Sequence, residues 1–265
     1  MESVHKVFQI FYDAITRENN DKGFLQLDNF ANDRPDWAEY WPIRHYFLKN
    51  ALDEQAYYGF FSPKFKQKTG LDSSDVFDFL KTSDSDVVVF SPFFDLTASL
   101  LNIFNQHPQN VDYENTFNAL GYPFNVHHLV MTSQQTVFCN YFVAKPHVWR
   151  SWLTLCDQLF SIGESNDSPL GHHLNSNIVY DGKNMQPKVF VVERIISFLL
   201  ALNKQWTVKV YDPLQLPMVN SANAVYSDEL LLLDALKIAF NQTNRQDYIR
   251  LFGEKRADMF KRMAV

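Results

Sequence analysis

Glu193 and Arg194 stand side by side inside the otherwise apolar run VFVVERIISFLLALN, where a lone charge would be costly and a paired or ligand-bound one is tolerated. Two readings follow: a buried structural ion pair, or a carboxylate and a guanidinium offered to a substrate. Asn140 poses the same question within TVFCNYFVAKPHVWRSWL, because its amide either satisfies buried backbone groups or binds substrate hydroxyls. Further upstream, NDRPDWAEYWPIRHYFLKNALD sets Asp36 and Glu39 among Trp37, Tyr40 and Trp41, with Arg34 and Arg44 close by. The loop PKFKQKTG then presents Lys64, Lys66 and Lys68 in a spacing that suits a phosphate. Cations that steady a departing phosphate and carboxylates that take a proton from a hydroxyl are the components of group transfer.

Other chemistries find less support. The chain contains no G-x-S-x-G elbow, no G-x-G-x-x-G, no Walker loop and no H-E-x-x-H. Asp84-Ser85-Asp86 has the spacing that can hold a divalent ion against a diphosphate, but it precedes an apolar strand and reads as a solvated loop. Asp95, just past that strand, is better placed but stands alone. His127-His128 and His172-His173 are adjacent pairs, and neighbours on a strand point to opposite faces, so neither pair chelates one ion unaided. His107 is explained by the end of a helix, where an imidazolium is favoured. Cys139 and Cys156 lack metal-ligand spacing and read as free, buried thiols.

The elements that must position these residues alternate between strand and helix. VFQIFY (7–12) is a first strand, with Asp13 at its end as a nucleotide-contact position. YYGFFS (57–62), DVVVF (86–90), a strand from 137 to 143 and WTVKVYD (206–212) follow, and Gly59 in the second permits close backbone approach. Two Pro-opened helical segments lie within 32–53, a Ser-capped helix at 73–82, an amphipathic helix from Asp95 to His107 and a short one around 113–120. Pro146 opens a helix to about 160, 161–171 is a loop, and helices cover 187–203, 227–241 and 244–263. The alternation predicts an α/β domain with a mixed, largely parallel sheet flanked by helices, and such sheets place ligands at the carboxyl ends of their strands.

Bulk properties narrow the classes further. A chain of 265 residues, 46% hydrophobic and 20% charged, can bury a sizeable core and is near the upper size of one domain. A formal net charge of −6 and a pI near 5.7 argue against a broad basic face, so no nucleic-acid partner is expected. The 24 Phe, 12 Tyr and 5 Trp suit stacking on sugars or bases, although a Phe-rich core accounts for most of them. No leader and no membrane-length apolar run are found, which leads us to expect a cytoplasmic protein, working at the inner membrane face through partners.

In this order, NDRPDWAEYWPIRHYFL, YYGFFSPKFKQKTG, SDVVVFSPF, FCNYFVAKPHVWRSWL and VFVVERIISFLLALN resemble bacterial proteins encoded in capsule and O-antigen clusters. More distantly they resemble the GT-A-type glycosyltransferase-like domains of those clusters, over most of residues 7–217. There, an Asn followed by apolar residues, a Lys and an aromatic helix precedes a Glu-Arg helix, as Asn140 precedes Glu193-Arg194. The resemblance implies a GT-A-like (Rossmann-like) domain over 1–217, with 218–265 a helical extension packed on it. It implies transfer of a sugar from a nucleotide-sugar donor to a glycan or lipid-linked acceptor in surface-polysaccharide biosynthesis. On this reading Glu39, Asp95 and Glu193 are the candidate catalytic bases. Asp13, Arg44, Lys64 and Lys68 are candidates for the nucleotide and its phosphates, and Trp37, Tyr58, Asn140 and Arg194 for the sugar or acceptor. No D-x-D stands at the expected strand end, which leaves a manganese or magnesium cofactor open. The same absence supports an alternative, a non-catalytic carbohydrate- or partner-binding module on a degenerate transferase fold.

Overall fold

A computed structural model describes residues 4–104, 111–123, 125–165 and 167–264. Its first half runs β1 (Val4–Phe11), α1 (Ala14–Asn19), β2 (Leu25–Asp28), a 3-10 turn over Pro35–Trp37, α2 (Tyr40–Lys49), β3 (Ala56–Phe61), α3 (Phe65–Thr69), α4 (Ser73–Leu80), β4 (Val87–Val89) and α5 (Phe94–Ser99). α6 (Tyr113–Ala119), β5 (Phe142–Ala144), α7 (Pro146–Ser165) and α8 (Pro169–Leu174) follow. A hairpin of β6 (Ile178–Tyr180) and β7 (Lys183–Met185) then leads to α9 (Pro187–Leu202), β8 (Val208–Val210), α10 (Ser227–Thr243) and α11 (Gln246–Met263).

Six strands form one sheet in the order β2-β1-β3-β5-β4-β8. The pairs β1–β2, β1–β3 and β4–β8 are parallel, whereas β5 runs antiparallel to both β3 and β4. The sheet is therefore largely parallel with one reversed strand, a mixed α/β architecture of Rossmann-like character. Alternation along each strand divides the core. Phe8, Ile10, Tyr58, Phe60, Val87 and Val89 face α2, α6, α7 and α9 in the larger layer. Val7, Tyr57, Phe61, Val88 and Val143 face the smaller layer, packing with Phe65 of α3 and Val76 and Leu80 of α4. A third cluster joins Phe94 and Ala98 of α5 to Leu230, Leu233 and Leu236 of α10 and to Phe252 and Met259 of α11. Among the described residues no helix is long and apolar enough to cross a membrane.

Several elements differ from expectation. The strand assigned to 137–143 begins only at Phe142, because Cys139 and Asn140 take φ of 61° and 55° and turn the chain. The loop assigned to 161–171 is largely helical: α7 continues to Ser165 and α8 starts at Pro169, capped by Ser168. The helix expected from Asp95 to His107 ends at Ser99, and His107 lies outside the described residues. α4 is capped by Asp72, whose carboxylate accepts from Ser74 and Asp75 N–H, rather than by a serine. Gly59 makes room within the sheet: a Cβ there would lie 2.7 Å from Val143 Cγ2 and 3.3 Å from Val7 Cγ1. Gly59→Ala is expected to destabilise the protein by about 1–3 kcal/mol through overpacking between β1, β3 and β5, read as a lower midpoint in urea unfolding.

Candidate functional site

Reversal of β5 puts its amino end at the carboxyl edge of the parallel strands, next to the ends of β3 and β4. The approach to that end is built on strain. Phe138 N–H donates to Ser91 Oγ at 2.7 Å and Val137 N–H to Ser197 Oγ at 2.8 Å, so the chain is pinned on both sides just before it turns. Cys139 and Asn140 then occupy left-handed backbone conformations. Asn tolerates this region better than most residues, which explains its place in an apolar run. Its amide is not explained by the backbone: Asn140 is 3% exposed and its Oδ1 has no hydrogen-bond partner among the described residues. Strained residues recur along this edge, with Ala38 at φ 45° and Phe93 at φ 72°. Such outliers persist where the surrounding structure over-determines them, commonly at ligand sites.

Four charged side chains meet there. Glu39 precedes α2 without spending its carboxylate on a cap. It keeps partial solvent access although protein packs densely around it. Burial, and then the like charge of Glu193, push its carboxyl above the ordinary value, against the opposing pull of Lys68 and Lys64. Lys68, at the end of α3, donates to Cys139 Sγ at 3.1 Å. Burial pulls the Lys68 ammonium down, but Cys139, Glu193 and Glu39 outweigh it and leave the group more basic than usual. The thiol of Cys139 is pushed up to about 11, first by burial and then by Glu193, so it is neutral at physiological pH. Arg194 is 1% exposed. Its Nη1 lies 3.3 Å from Glu193 Oε2, its Cζ stands 5.2 Å from the Phe138 ring centre, and its Nε has no partner among the described residues. A buried guanidinium with a spare N–H is suited to an anion.

The sequence candidates thus divide. Glu39, Lys68, Asn140, Glu193 and Arg194 gather at this edge. Lys64 lies exposed on its rim, and Asp13 at the end of β1 caps α1 by accepting from Thr16 N–H at 2.7 Å. Four others do structural work. Trp37 is fully buried against Phe160, with its Nε1 on Glu164 at 3.0 Å. Tyr58 is fully buried, and its hydroxyl accepts from Asp53 N–H at 2.9 Å. Arg44 binds Asp157 of α7 at 2.9 Å. Asp95 is 1% exposed, and its carboxylate accepts from Val219 N at 3.2 Å, Asn220 N at 3.3 Å and Asn223 Nδ2 at 2.7 Å, tying α5 to the segment before α10. Tyr180, at the tip of the β6–β7 hairpin, escaped sequence reasoning. Its ring packs on Phe190 and its hydroxyl is raised by burial and then by Glu193. The Asp181-Gly182 turn that places it, with both residues at positive φ, was a readable hairpin signal.

Among the described residues the acidic, thiol and imidazole side chains do not assemble a set of ligands for a manganese or magnesium ion, since no group of three or more His, Cys, Asp or Glu could hold one. Asp86 sits at the amino edge of the sheet, its carboxylate taken by Lys145 at 3.1 Å and by Thr207 N–H and Oγ1, both at 2.9 Å. His172 and His173 lie on α8, where His173 Nε2 accepts from Asp112 N–H at 3.1 Å. Compared with protein-family models, curated proteins and solved structures, the chain matches none. The fold and the site therefore define a class in chemical terms: a mixed α/β protein with a carboxylate and cation cluster at the carboxyl edge of its sheet.

Two outcomes follow. Asp95→Ala should cost about 2–4 kcal/mol by stranding two backbone N–H groups and the Asn223 amide, measured by denaturant unfolding. Glu39→Gln should do the opposite. The folded chain holds the Glu39 proton more tightly than the unfolded chain does. Ionisation of Glu39 therefore costs stability, a loss absent below the ordinary 4.5 and complete once pH has risen through the raised value. The variant should match the natural protein in Tm at about pH 4 and exceed it at about pH 8.

Proposed function

We propose that the protein is a glycosyltransferase that moves a sugar from a nucleotide-sugar donor to a glycan or lipid-linked acceptor in surface-polysaccharide biosynthesis, at the cytoplasmic face of the membrane. The observation that carries this reading is the convergence of Glu39 and Glu193 with Lys68 and Arg194 beside Asn140, whose amide oxygen has no partner among the described residues. A mixed, largely parallel sheet with one reversed strand is the frame that a GT-A-like domain requires.

Glu39 is the better base of the two carboxylates. Glu193 is in contact with Arg194, whereas Lys68 and Lys64 act on Glu39 from beyond ion-pair contact, and burial makes Glu39 more basic than an ordinary carboxylate. In a direct displacement the acceptor hydroxyl gives its proton to Glu39 and its oxygen attacks the anomeric carbon. The bond from that carbon to the diphosphate breaks, and its electron pair leaves on the phosphate oxygen. Lys68 and Arg194 neutralise that oxygen, with Lys64 at the rim, while the Asn140 amide orients sugar hydroxyls.

The test begins with melting temperature against UDP-, GDP-, dTDP- and CMP-sugars, with and without manganese. One nucleotide class should raise Tm, since a ligand at 100 times its Kd adds about 2.7 kcal/mol to the folded state. Lys68→Ala should weaken that nucleotide at least tenfold. Glu39→Gln should still bind it while turnover falls about 10²–10⁴-fold. If no nucleotide sugar shifts Tm, the transferase reading fails and the carbohydrate- or partner-binding module replaces it.

A further inference from the structure

A cleft of about 470 Å³ opens elsewhere in the molecule, between the end of α9, the start of β8, α10 and the 128–135 segment. Its place along β8 is the amino edge of the sheet, opposite to the charged cluster, and it shares no residue with that cluster. The size is that of a small-molecule or oligosaccharide subsite.

Its lining has a particular chemistry. Trp206, half-buried, borders the cleft, with an edge-on contact to His147 at 5.8 Å holding the indole in place. Around it stand five carboxamides: Gln134, Gln135, Asn203, Asn241 and Gln242. Asn203 is engaged within the protein, its Nδ2 donating to Leu199 O at 2.8 Å and its Oδ1 accepting from Gln205 Nε2 at 3.2 Å, but the others keep part of their hydrogen-bonding capacity. Gln135 Oε1 accepts from Thr132, which leaves its amide N–H groups; Asn241 gives Nδ2 to Val130 O at 3.2 Å, which leaves its Oδ1. Gln134 and Gln242 are exposed at the mouth. Among the described residues no carboxylate lines the cleft, and Lys204 carries the one full charge on its wall, with His128 the other titratable group among them.

An organic cation would find no counter-charge in this wall, and an anion would find one exposed lysine. A ligand that both donates and accepts, carries no charge and has an apolar face to lay on an indole matches all of it. Pyranose rings have these properties: hydroxyls for the amides, and a C–H face for the tryptophan. We infer that this cleft binds a neutral glycan chain, a second carbohydrate site apart from the charged cluster. The assignment does not depend on the transferase reading, because a module without catalytic activity would use the same cleft.

The experiment is titration of the full chain with neutral oligosaccharides of glucose, galactose, mannose, rhamnose and N-acetylglucosamine, following tryptophan fluorescence and heat of binding. At least one should bind. Trp206→Ala and the double variant Gln134→Ala/Gln242→Ala, whose side chains lie at the exposed mouth and are not needed for folding, should each weaken it at least tenfold. Binding of the nucleotide that raises Tm should be unchanged in the double variant, which separates this site from the charged one. No binding by any of these oligosaccharides at 10 mM, approached as a limit of roughly −3 kcal/mol or weaker, would overturn the assignment. So would binding undiminished in both variants, or a clear preference for a uronic-acid-containing glycan over its neutral counterpart.

Discussion

The ammonium of Lys188 is the pin on which the site depends. It is 1% exposed and sits one residue into α9, where the helix dipole disfavours a cation. It is held there by Asp36 Oδ2 at 2.6 Å and Asn175 Oδ1 at 2.7 Å, with the Trp37 ring centre 4.5 Å away. Asp36 is in turn gripped by Arg34, which also reaches Glu164 at the end of α7. Burial alone would raise the Asp36 carboxyl, but Arg34 and Lys188 outweigh it and hold it at about 2. One buried cation thus locks the 34–37 segment to the start of α9 and the end of α8, and through Arg34 to the end of α7. Glu39 lies two residues past that segment and Glu193 less than two turns into α9, so the spacing of the two carboxylates is set by this network.

That arrangement works against stability. Two carboxylates within range of each other, the Arg194 Nε and Asn140 Oδ1 that have no partner among the described residues, and three stretches of positive φ all raise the energy of one edge of the sheet. The opposite edge shows the contrast, since Asp86 there is satisfied by Lys145 and Thr207. The larger hydrophobic layer supplies what the site gives up. Trp149 stacks on Phe142 at 4.4 Å and closes its N–H on Tyr58 O at 2.9 Å, fixing β5 between its neighbours. Rigid packing beneath a strained rim is the usual way in which a ligand site is kept open.

The parts of this fold that were legible in the sequence are those where one signal dominates. VVV at β4, the apolar run of α9 and the Pro-opened α7 read correctly because burial and periodicity agree. β2 went unread because LQLD is short, polar and mostly exposed at the sheet edge. The 137–141 stretch misled because its apolar residues are buried in a turn as fully as they would be in a strand. In the site, Glu193, Arg194, Asn140 and Glu39 were visible as polar groups in apolar surroundings. Trp37, Arg44 and Asp95 stood out for a different reason: their partners, Glu164, Asp157 and Val219, are more than a hundred residues away in sequence, while Tyr58 is held by the nearby Asp53 N–H. A single sequence marks a residue that needs a partner without showing whether that partner is protein or ligand.

The pairing of Glu193 with Arg194 bears on the order of events in the proposed transfer. Neighbouring helical residues diverge around the helix, and the 3.3 Å contact between these two is loose for an ion pair. A diphosphate arriving at Arg194 and Lys68 competes for both cations and brings its own negative charge. Both effects act on Glu39 in one direction, because added negative charge and a weakened Lys68 attraction each raise the proton affinity of its carboxylate. In the proposed transfer, donor binding would therefore make Glu39 a stronger base before the acceptor hydroxyl is deprotonated. Departure of the diphosphate reverses the shift and helps Glu39 release the proton. On the proposed reading, charges that are mutually unfavourable in the protein alone would become complementary on meeting a donor diphosphate, which is the condition under which strain at such an edge is retained.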